Sequence, residues 1–264
     1  PSNLALAVGP KIAYVKIRDG ADVYILAKDR LAVYYKKPDQ YEVLEEMDGA
    51  KLVGLRYEPL FPYFADQKKT GAFRVCAADF VSTEDGTGVV HIAPGFGEDD
   101  HRLGQVEGLT AVCPVDEEGR FTSAVSDYAG REVKEADADI MKRLKAEGKL
   151  VHRGTIQHSY PHCWRCDKPL IYKAISTWFV RVEKIRERIL AANQETHWVP
   201  EHLRDGRFGK WLEGARDWAI SRNRYWGAPL PIWRNKEGEI LCVGSLAELE
   251  KLSGKKVEDL HKHF

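Results

Sequence analysis

GTGVVHIAPGFGEDD, residues Gly86–Asp100, decides the fold before any other segment does. Two glycines bracket a threonine. An apolar run, VVHIA (Val89–Ala93), follows, then a Pro-Gly bend and three acids. A short β-branched run bounded by turn residues reads as a strand. Acids just after a bend favour a helix N-terminus, where they complement the dipole by about 0.3–1 kcal/mol. The glycines therefore come before a strand. A dinucleotide fingerprint needs them after a strand, opening a helix, with glycine where His91 stands. No Lys-Ser or Lys-Thr follows, so the P-loop reading fails as well.

Working outward, the same texture continues. KIAYVKIR (Lys11–Arg18) and VYILA (Val23–Ala27) flank Asp19–Asp22 and predict a hairpin. Asp29 opens a short helix to about Tyr35, ended by Pro38. YEVLEEM predicts a strand closed by Asp48-Gly49, and FRVCAADFV (Phe73–Val81) a strong one, with the small-residue turn STEDGTG before the next. Cys113 and Val115 fall on a further strand before the turn DEEGR. Val133, Asp137, Ile140 and Leu144 share a helix face, with Gly148 as its stop. Short strands with a few helices, and no regular strand–helix alternation, predict a mixed barrel or sandwich.

After Lys149 the character changes. HSYPHCWRCDKPLIY is rich in His, Pro, Cys and aromatics. WFVRV predicts a strand, Lys184–Ala192 a helix closed by Asn193, and Phe208 to about Ala219 a second helix. PIWRNKEGEILCVG predicts a hairpin turning at Glu237-Gly238. Ser245 and Glu248 have the spacing of a capping box at the head of a last helix.

The 264 residues suffice for two domains. No apolar run approaches the roughly 18–20 residues of a membrane span, and no signal-peptide pattern occurs, so no membrane contact is expected. Of five cysteines only Cys163 and Cys166 are closely paired. That suits a reducing compartment, read here as the cytoplasm, and a metal more than a disulfide framework. Residues 79–148 carry 7 Lys and Arg against 16 Asp and Glu, whereas residues 151–234 carry 15 against 8. An acidic half and a basic half suggest two modules, the basic one suited to an anionic partner. Uneven surface charge is the other reading. The chain opens on Pro1-Ser2-Asn3 as though in the middle of something.

Three readings of Gly86–Asp100 remain. His91, Asp99, Asp100 and His101 are conceivable metal ligands, but their spacing matches no tight zinc pattern. A structural reading makes the glycines a tight turn, His91 a satisfied core residue and the acids a helix start. Taken alone, it is the stronger. The third is a pocket: glycines admit a ligand close to the backbone, and a strand histidine can converge with a carboxylate at the next helix. A carboxylate in a cleft anchors an ammonium group through a charge-assisted bond, which suits an α-amino group.

At this point the motifs resemble a known family. GTGVVHIAPGFGEDD resembles the editing-domain motif of class I aminoacyl-tRNA synthetases for branched aliphatic amino acids. PSNLALAV, SYPHCWRCDKPLIY and WVPEHLRDGRFGKWLEGARDWAISRNRYWGAPLPIW resemble the isoleucyl branch, and the form RNRYWGAPLPIW separates it from the valyl and leucyl branches. The resemblance covers nearly the whole chain. It implies an α/β editing domain with a barrel-like mixed sheet and flanking helices over residues 1–157, lacking its beginning, a zinc-knuckle-like connection over 158–175, and a segment over 176–264 returning to the catalytic core. It implies an enzyme that ligates isoleucine to its tRNA using ATP, and an editing site that hydrolyses valine misattached to that tRNA. Asp100 would hold the α-ammonium, and His91 would line the pocket and reject the larger isoleucyl side chain. Gly86, Thr87 and Gly88 would shape the wall near the terminal adenosine, and Asn3 would stand at the pocket edge. The expected partners are the acceptor end of the isoleucine tRNA and valine or isoleucine as aminoacyl esters; a monomer is expected. An aminoacyl ester is already reactive, so a positioned water can suffice.

Some family parts are missing from this sequence. The threonine-rich strand that precedes PSN in the family is absent, as are motifs of the HIGH and KMSKS type, so ATP and Mg are expected to serve a parent enzyme and not to bind these residues. Cys163-x-x-Cys166 has zinc-knuckle spacing, but a structural zinc takes a tetrahedral set of ligands. The resemblance puts the other pair upstream, which leaves half a zinc site; two inert thiols are the other reading. In RNKEGEILC, Cys242 stands alone. WAISRNRYWG, with Arg222, Arg224, Tyr225 and Trp226, is open to a nucleic-acid stacking reading, against core packing for Trp218 and Trp226. The competing function is a non-catalytic module that binds tRNA through its basic half and a zinc knuckle.

Overall fold

The computed structural model describes residues 1–155, 159–222, 229–257 and 259–260. It divides into two compact units, Pro1–Ala174 and Ile175–Phe264. No helix of the described residues is long and apolar enough to cross a membrane.

The first unit holds β1 (Ala5–Val8), β2 (Ala13–Asp19), β3 (Asp22–Ala27), β4 (Glu42–Asp48), β5 (Arg74–Ala77) and β6 (Val89–Ile92). Its helices are α1 (Leu31–Tyr34), α2 (Glu98–Val106) and α3 (Val133–Ala146). The strands form two three-stranded sheets, ordered β5-β1-β6 and β3-β2-β4. β1 is the centre of the first, parallel to β5 and antiparallel to β6, with Leu6 opposite both Val75 and His91. β2 is the centre of the second, where Asp19 and Asp22 close the hairpin. Gly20 takes φ 59° at the first central position of that turn, the conformation a tight hairpin requires and only glycine adopts without strain.

Alternation along β2 explains how the sheets stack. Val15 and Ile17 project to one face and pack with Leu26 under Tyr34 and Tyr35. Tyr14 projects to the other and joins Val8, Ala27, Leu52 and Val75. The second face thus packs on residues of the first sheet. The barrel-like sheet of the sequence reading is therefore met as two small sheets with a shared core; the ladders of the described residues do not run continuously from one to the other. Gly9-Pro10 breaks the chain between β1 and β2, since proline has no N–H to extend a ladder.

Other differences have equally local causes. The strand expected over Phe73–Val81 ends at Ala77, because β1 ends at Val8, whose carbonyl accepts from Ala78 N–H. The strand expected at Cys113 and Val115 is a single bridge, Val115 to Phe121. The Asp116 carboxylate there takes the N–H groups of Glu118 and Arg120 and turns the backbone away.

The second unit holds β7 (Phe179–Val180), α4 (Arg186–Glu195), α5 (Arg207–Glu213), β8 (Trp218–Ala219), β9 (Ile232–Arg234), β10 (Ile240–Cys242) and α6 (Leu246–Ser253). β7 pairs with β8, and β9 with β10 as the expected hairpin. Asn193 does not close α4 but lies inside it, 5% exposed. Its Nδ2 donates to Arg204 O and its Oδ1 accepts from Trp198 Nε1, each at 2.9 Å. α5 stops at Glu213, short of Ala219, because Trp218 and Ala219 pair with β7. Ser245 caps α6, accepting from Glu248 N–H, while Glu248 reaches back to Gly244 N–H.

Candidate functional site

The strand–bend–helix corner read from the sequence is present. β6 carries His91, the chain bends through Ala93–Gly97, and α2 opens with Glu98, Asp99 and Asp100 in its first turn. Asp100 turns back across the bend, and its Oδ2 accepts from Ala93 N–H at 2.8 Å. This bond ties the helix start to the strand end and keeps the carboxylate close enough to His91 to act on it. Protein packed around the His91 ring pushes its pKa below the ordinary value, and the Asp100 charge pulls it upward. The ring is nonetheless open to solvent on one side.

That open side belongs to a cavity of about 440 Å³. His91, Ala93 and Phe96 line it with Pro1 and Ser2. Val115, Phe121 and Val133 supply an apolar wall, and Lys134, Asp137, Tyr160 and Tyr172 line it as well. The mostly apolar lining with a few polar groups suits a small ligand with an aliphatic part and a charged or hydrogen-bonding part. Asp100 does not line this space; it stands behind Ala93.

Asn3 meets His91 directly. Its Nδ2 lies 2.9 Å from His91 Nδ1 and 2.8 Å from Ala5 O, because β1 and β6 are neighbours and Leu4 N–H donates to Ile92 O. Its Oδ1 accepts from the hydroxyl of Tyr57, whose pKa burial pushes well above the ordinary range. Sequence reasoning missed Tyr57. It lies in RYEPLFPY, a loop with no strand or helix period to give it a direction.

Gly86, Thr87 and Gly88 sit at the other end of β6. Thr87 lines a separate hollow of about 320 Å³ with Tyr24, Leu26, Tyr35 and His152. The segment is bound to the second sheet: Ala27 N–H donates to Thr87 O at 2.8 Å, Tyr14 OH to Gly88 O at 2.6 Å and Arg30 Nε to Gly86 O at 2.8 Å. The structure thus brings Asn3, His91 and Asp100 together and leaves the glycine segment apart from them.

Cys163 and Cys166 lie in a tight hairpin. Cys163 N–H donates to Lys168 O and Asp167 N–H to Cys163 O, both at 2.8 Å. Backbone N–H groups of Arg165 and then Cys166 aim at the Cys163 sulfur and hold its pKa below the usual thiol value. N–H groups pointed at a sulfur suit a thiolate that binds a metal. Among the described residues no cluster of three or more His, Cys, Asp and Glu could hold an ion. Cys242 is exposed in β10. Of the candidate stacking surface, Arg224, Tyr225 and Trp226 lie outside the described residues, as does the domain boundary expected at residue 157. Arg222 donates to Ala219 O and Ser221 O. Trp218 is 63% exposed, so core packing does not hold for it among the described residues; β8 pairs with only the two residues of β7.

Comparison with known proteins agrees with the motifs. A family model described as tRNA synthetases class I (I, L, M and V) matches residues 31–263, and the chain belongs to that family. Its relatives include the isoleucine–tRNA ligase of Bdellovibrio bacteriovorus, 61% identical over 267 residues that take in 100% of this chain and 25% of that protein. The ligase of the same name from Treponema denticola is 57% identical over 281 residues, with 100% and 26% covered. That of Chlamydia trachomatis serovar L2 is 54% identical over 265 residues, again with 100% and 26% covered. The chain thus spans about a quarter of the length of these relatives. Among solved structures, "The crystal structure of GlLeuRS-CP1" is similar at a TM-score of 0.43 and 16% identity, over 59% of this chain and 80% of that one.

Proposed function

We propose that residues 1–157 are the editing domain of an isoleucine–tRNA ligase and hydrolyse valine misattached to the isoleucine tRNA. The identity with ligases of that name along the full chain carries this reading; the cavity beside Asn3, His91 and Asp100 supports it.

The need for such a site is physical. An extra methylene is worth only about 1–3 kcal/mol of discrimination, a general limit for which isoleucyl-tRNA synthetases are themselves the known example. A second pocket that admits valine and excludes isoleucine supplies the rest. His91, lining an apolar-walled cavity, is the size filter. Asp100 attracts the α-ammonium, and Asn3 holds the edge of the site. The ester is cleaved by water held against its carbonyl. The glycine segment forms a wall for the terminal adenosine beyond the second hollow. A barrel-like unit is supported by the bond from Ala27 N–H to Thr87 O, which joins the edges of the two sheets. Cys163 and Cys166 would supply two ligands of a structural zinc whose role is to hold the hairpin. ATP and Mg would act elsewhere in the longer protein.

The test is deacylation by a full-length ligase carrying this sequence. It should clear Val-tRNA and spare Ile-tRNA. His91→Ala should make it attack Ile-tRNA; if that product stays intact, the filter lies elsewhere. Salt-sensitive tRNA binding with stoichiometric zinc, and no clearance of Val-tRNA, would replace the editing reading with a non-catalytic tRNA-binding module.

A further inference from the structure

Tyr57 is 54 residues from Asn3 in the chain, yet its hydroxyl donates to Asn3 Oδ1. The tyrosine is held from two directions. Its ring stands edge-on to buried Phe73 with centroids 6.0 Å apart, and its N–H donates to Phe73 O at 3.1 Å. The Asn3 amide then has one orientation. The Ala5 carbonyl, 2.8 Å away, can only accept, so the amide nitrogen faces it and the amide oxygen faces Tyr57. One amide proton goes to Ala5 O and the other to His91 Nδ1. Nδ1 must therefore offer a lone pair, and the proton of the neutral ring belongs to Nε2.

We propose that Tyr57 is a positioning residue of this site: its hydroxyl locks the Asn3 amide, and that amide holds His91 as the neutral Nε2–H tautomer, which leaves Nε2–H as the ring's donor toward the cavity. The inference rests on the editing reading only for what that donor meets, a polar atom of an aminoacyl ester. Protonating His91 would set an Nδ1–H against the amide N–H, so the hydrogen-bond chain opposes the charged ring. Other charges bear on the ring as well. Asp100 of α2 favours protonation, while Lys134 and Asp137 of α3, with Tyr160 and Tyr172, line the same cavity.

Nitrogen-15 spectra of the histidine side chains in the 264-residue chain test this, with His91 assigned by its loss in His91→Gln. The unaltered chain should show a single Nε2–H tautomer. Tyr57→Phe should give a tautomer mixture and protonation at higher pH. Asn3→Asp keeps an acceptor for Tyr57 but puts a carboxylate against Nδ1, and should raise the proton affinity of His91 by about tenfold or more. An Nδ1–H tautomer in the unaltered chain overturns the proposal, and this reading stands even if Tyr57→Phe does not fold. Unchanged ring signals in both variants overturn it too. In the full-length ligase the acid limb of Val-tRNA deacylation should move with the ring. If the ring signals shift while clearance does not, the hydrogen-bond chain holds and the editing reading falls.

Discussion

The Asp100 carboxylate, in the first turn of α2, accepts a hydrogen bond from the backbone N–H of Ala93, the residue that follows β6. One side chain thus has two duties, holding the corner and supplying charge, and substitutions can divide them. Asp100→Ala leaves Ala93 N–H without its partner and should cost about 1–3 kcal/mol in urea unfolding. Asp100→Asn keeps an acceptor oxygen and should unfold close to the unaltered protein. Both should slow Val-tRNA clearance, because each removes the negative charge that attracts the α-ammonium. Full clearance by Asp100→Asn would remove the carboxylate from the binding role.

Gly88 is fixed by packing. Its φ is 76°, and a Cβ there would lie 2.5 Å from Ala27 Cβ. Gly88→Ala should destabilise the Pro1–Ala174 unit by about 1–3 kcal/mol. Tyr14→Phe, which removes the bond to Gly88 O, should cost about 1 kcal/mol. Thermal melts of the two variants check the order; a neutral Gly88→Ala would mean that the two sheets part without penalty.

In the second unit Asn193 bridges α4 to the segment that leads into α5. Asn193→Ala strands both Trp198 Nε1–H and Arg204 O, at about 2–4 kcal/mol. Asn193→Asp can still accept from Trp198 but cannot donate to Arg204, so it should fall between. Urea unfolding followed by tryptophan fluorescence gives the ranking.

His91 gives the first unit an acid sensitivity. Its folded-state pKa lies below the ordinary 6.5, so the unfolded chain binds the proton more readily. The stability linked to this group is complete above about pH 6.5 and is lost as pH falls through the lowered folded value. His91→Gln should flatten that part of the stability–pH curve and leave the part above pH 7 unchanged. An identical acid slope in the variant would assign the effect to other groups.

Where local chemistry decides structure, the residues declared it. The β2–β3 hairpin, the corner at Ala93–Gly97, the Ser245 cap and the β9–β10 turn all follow from turn and capping residues in the expected places. Where distant partners decide, they did not. Asn193 has the local habit of a helix end, but buried hydrogen bonds to Trp198 and Arg204 keep it helical. α5 is short because β7 claims Trp218 and Ala219. In the site, the motif around His91 pointed to Asn3, His91 and Asp100, whereas Tyr57 carries no local pattern and its role exists only once the loop folds over β1. The glycine segment read with them is bound to the second sheet through Ala27, Tyr14 and Arg30, contacts that no local pattern announced.

Among the described residues, the middle strand of the first sheet is also the earliest of its strands in sequence. Ala5–Val8 waits for Arg74–Ala77 on one side and Val89–Ile92 on the other. During synthesis on the ribosome it therefore emerges with both edges bare, and neither neighbour exists until some seventy residues more have been made. Closing so long a loop costs entropy before any contact repays it. Meanwhile the β2–β3 hairpin, whose pairing is local, forms first and offers the apolar face on which the later sheet assembles.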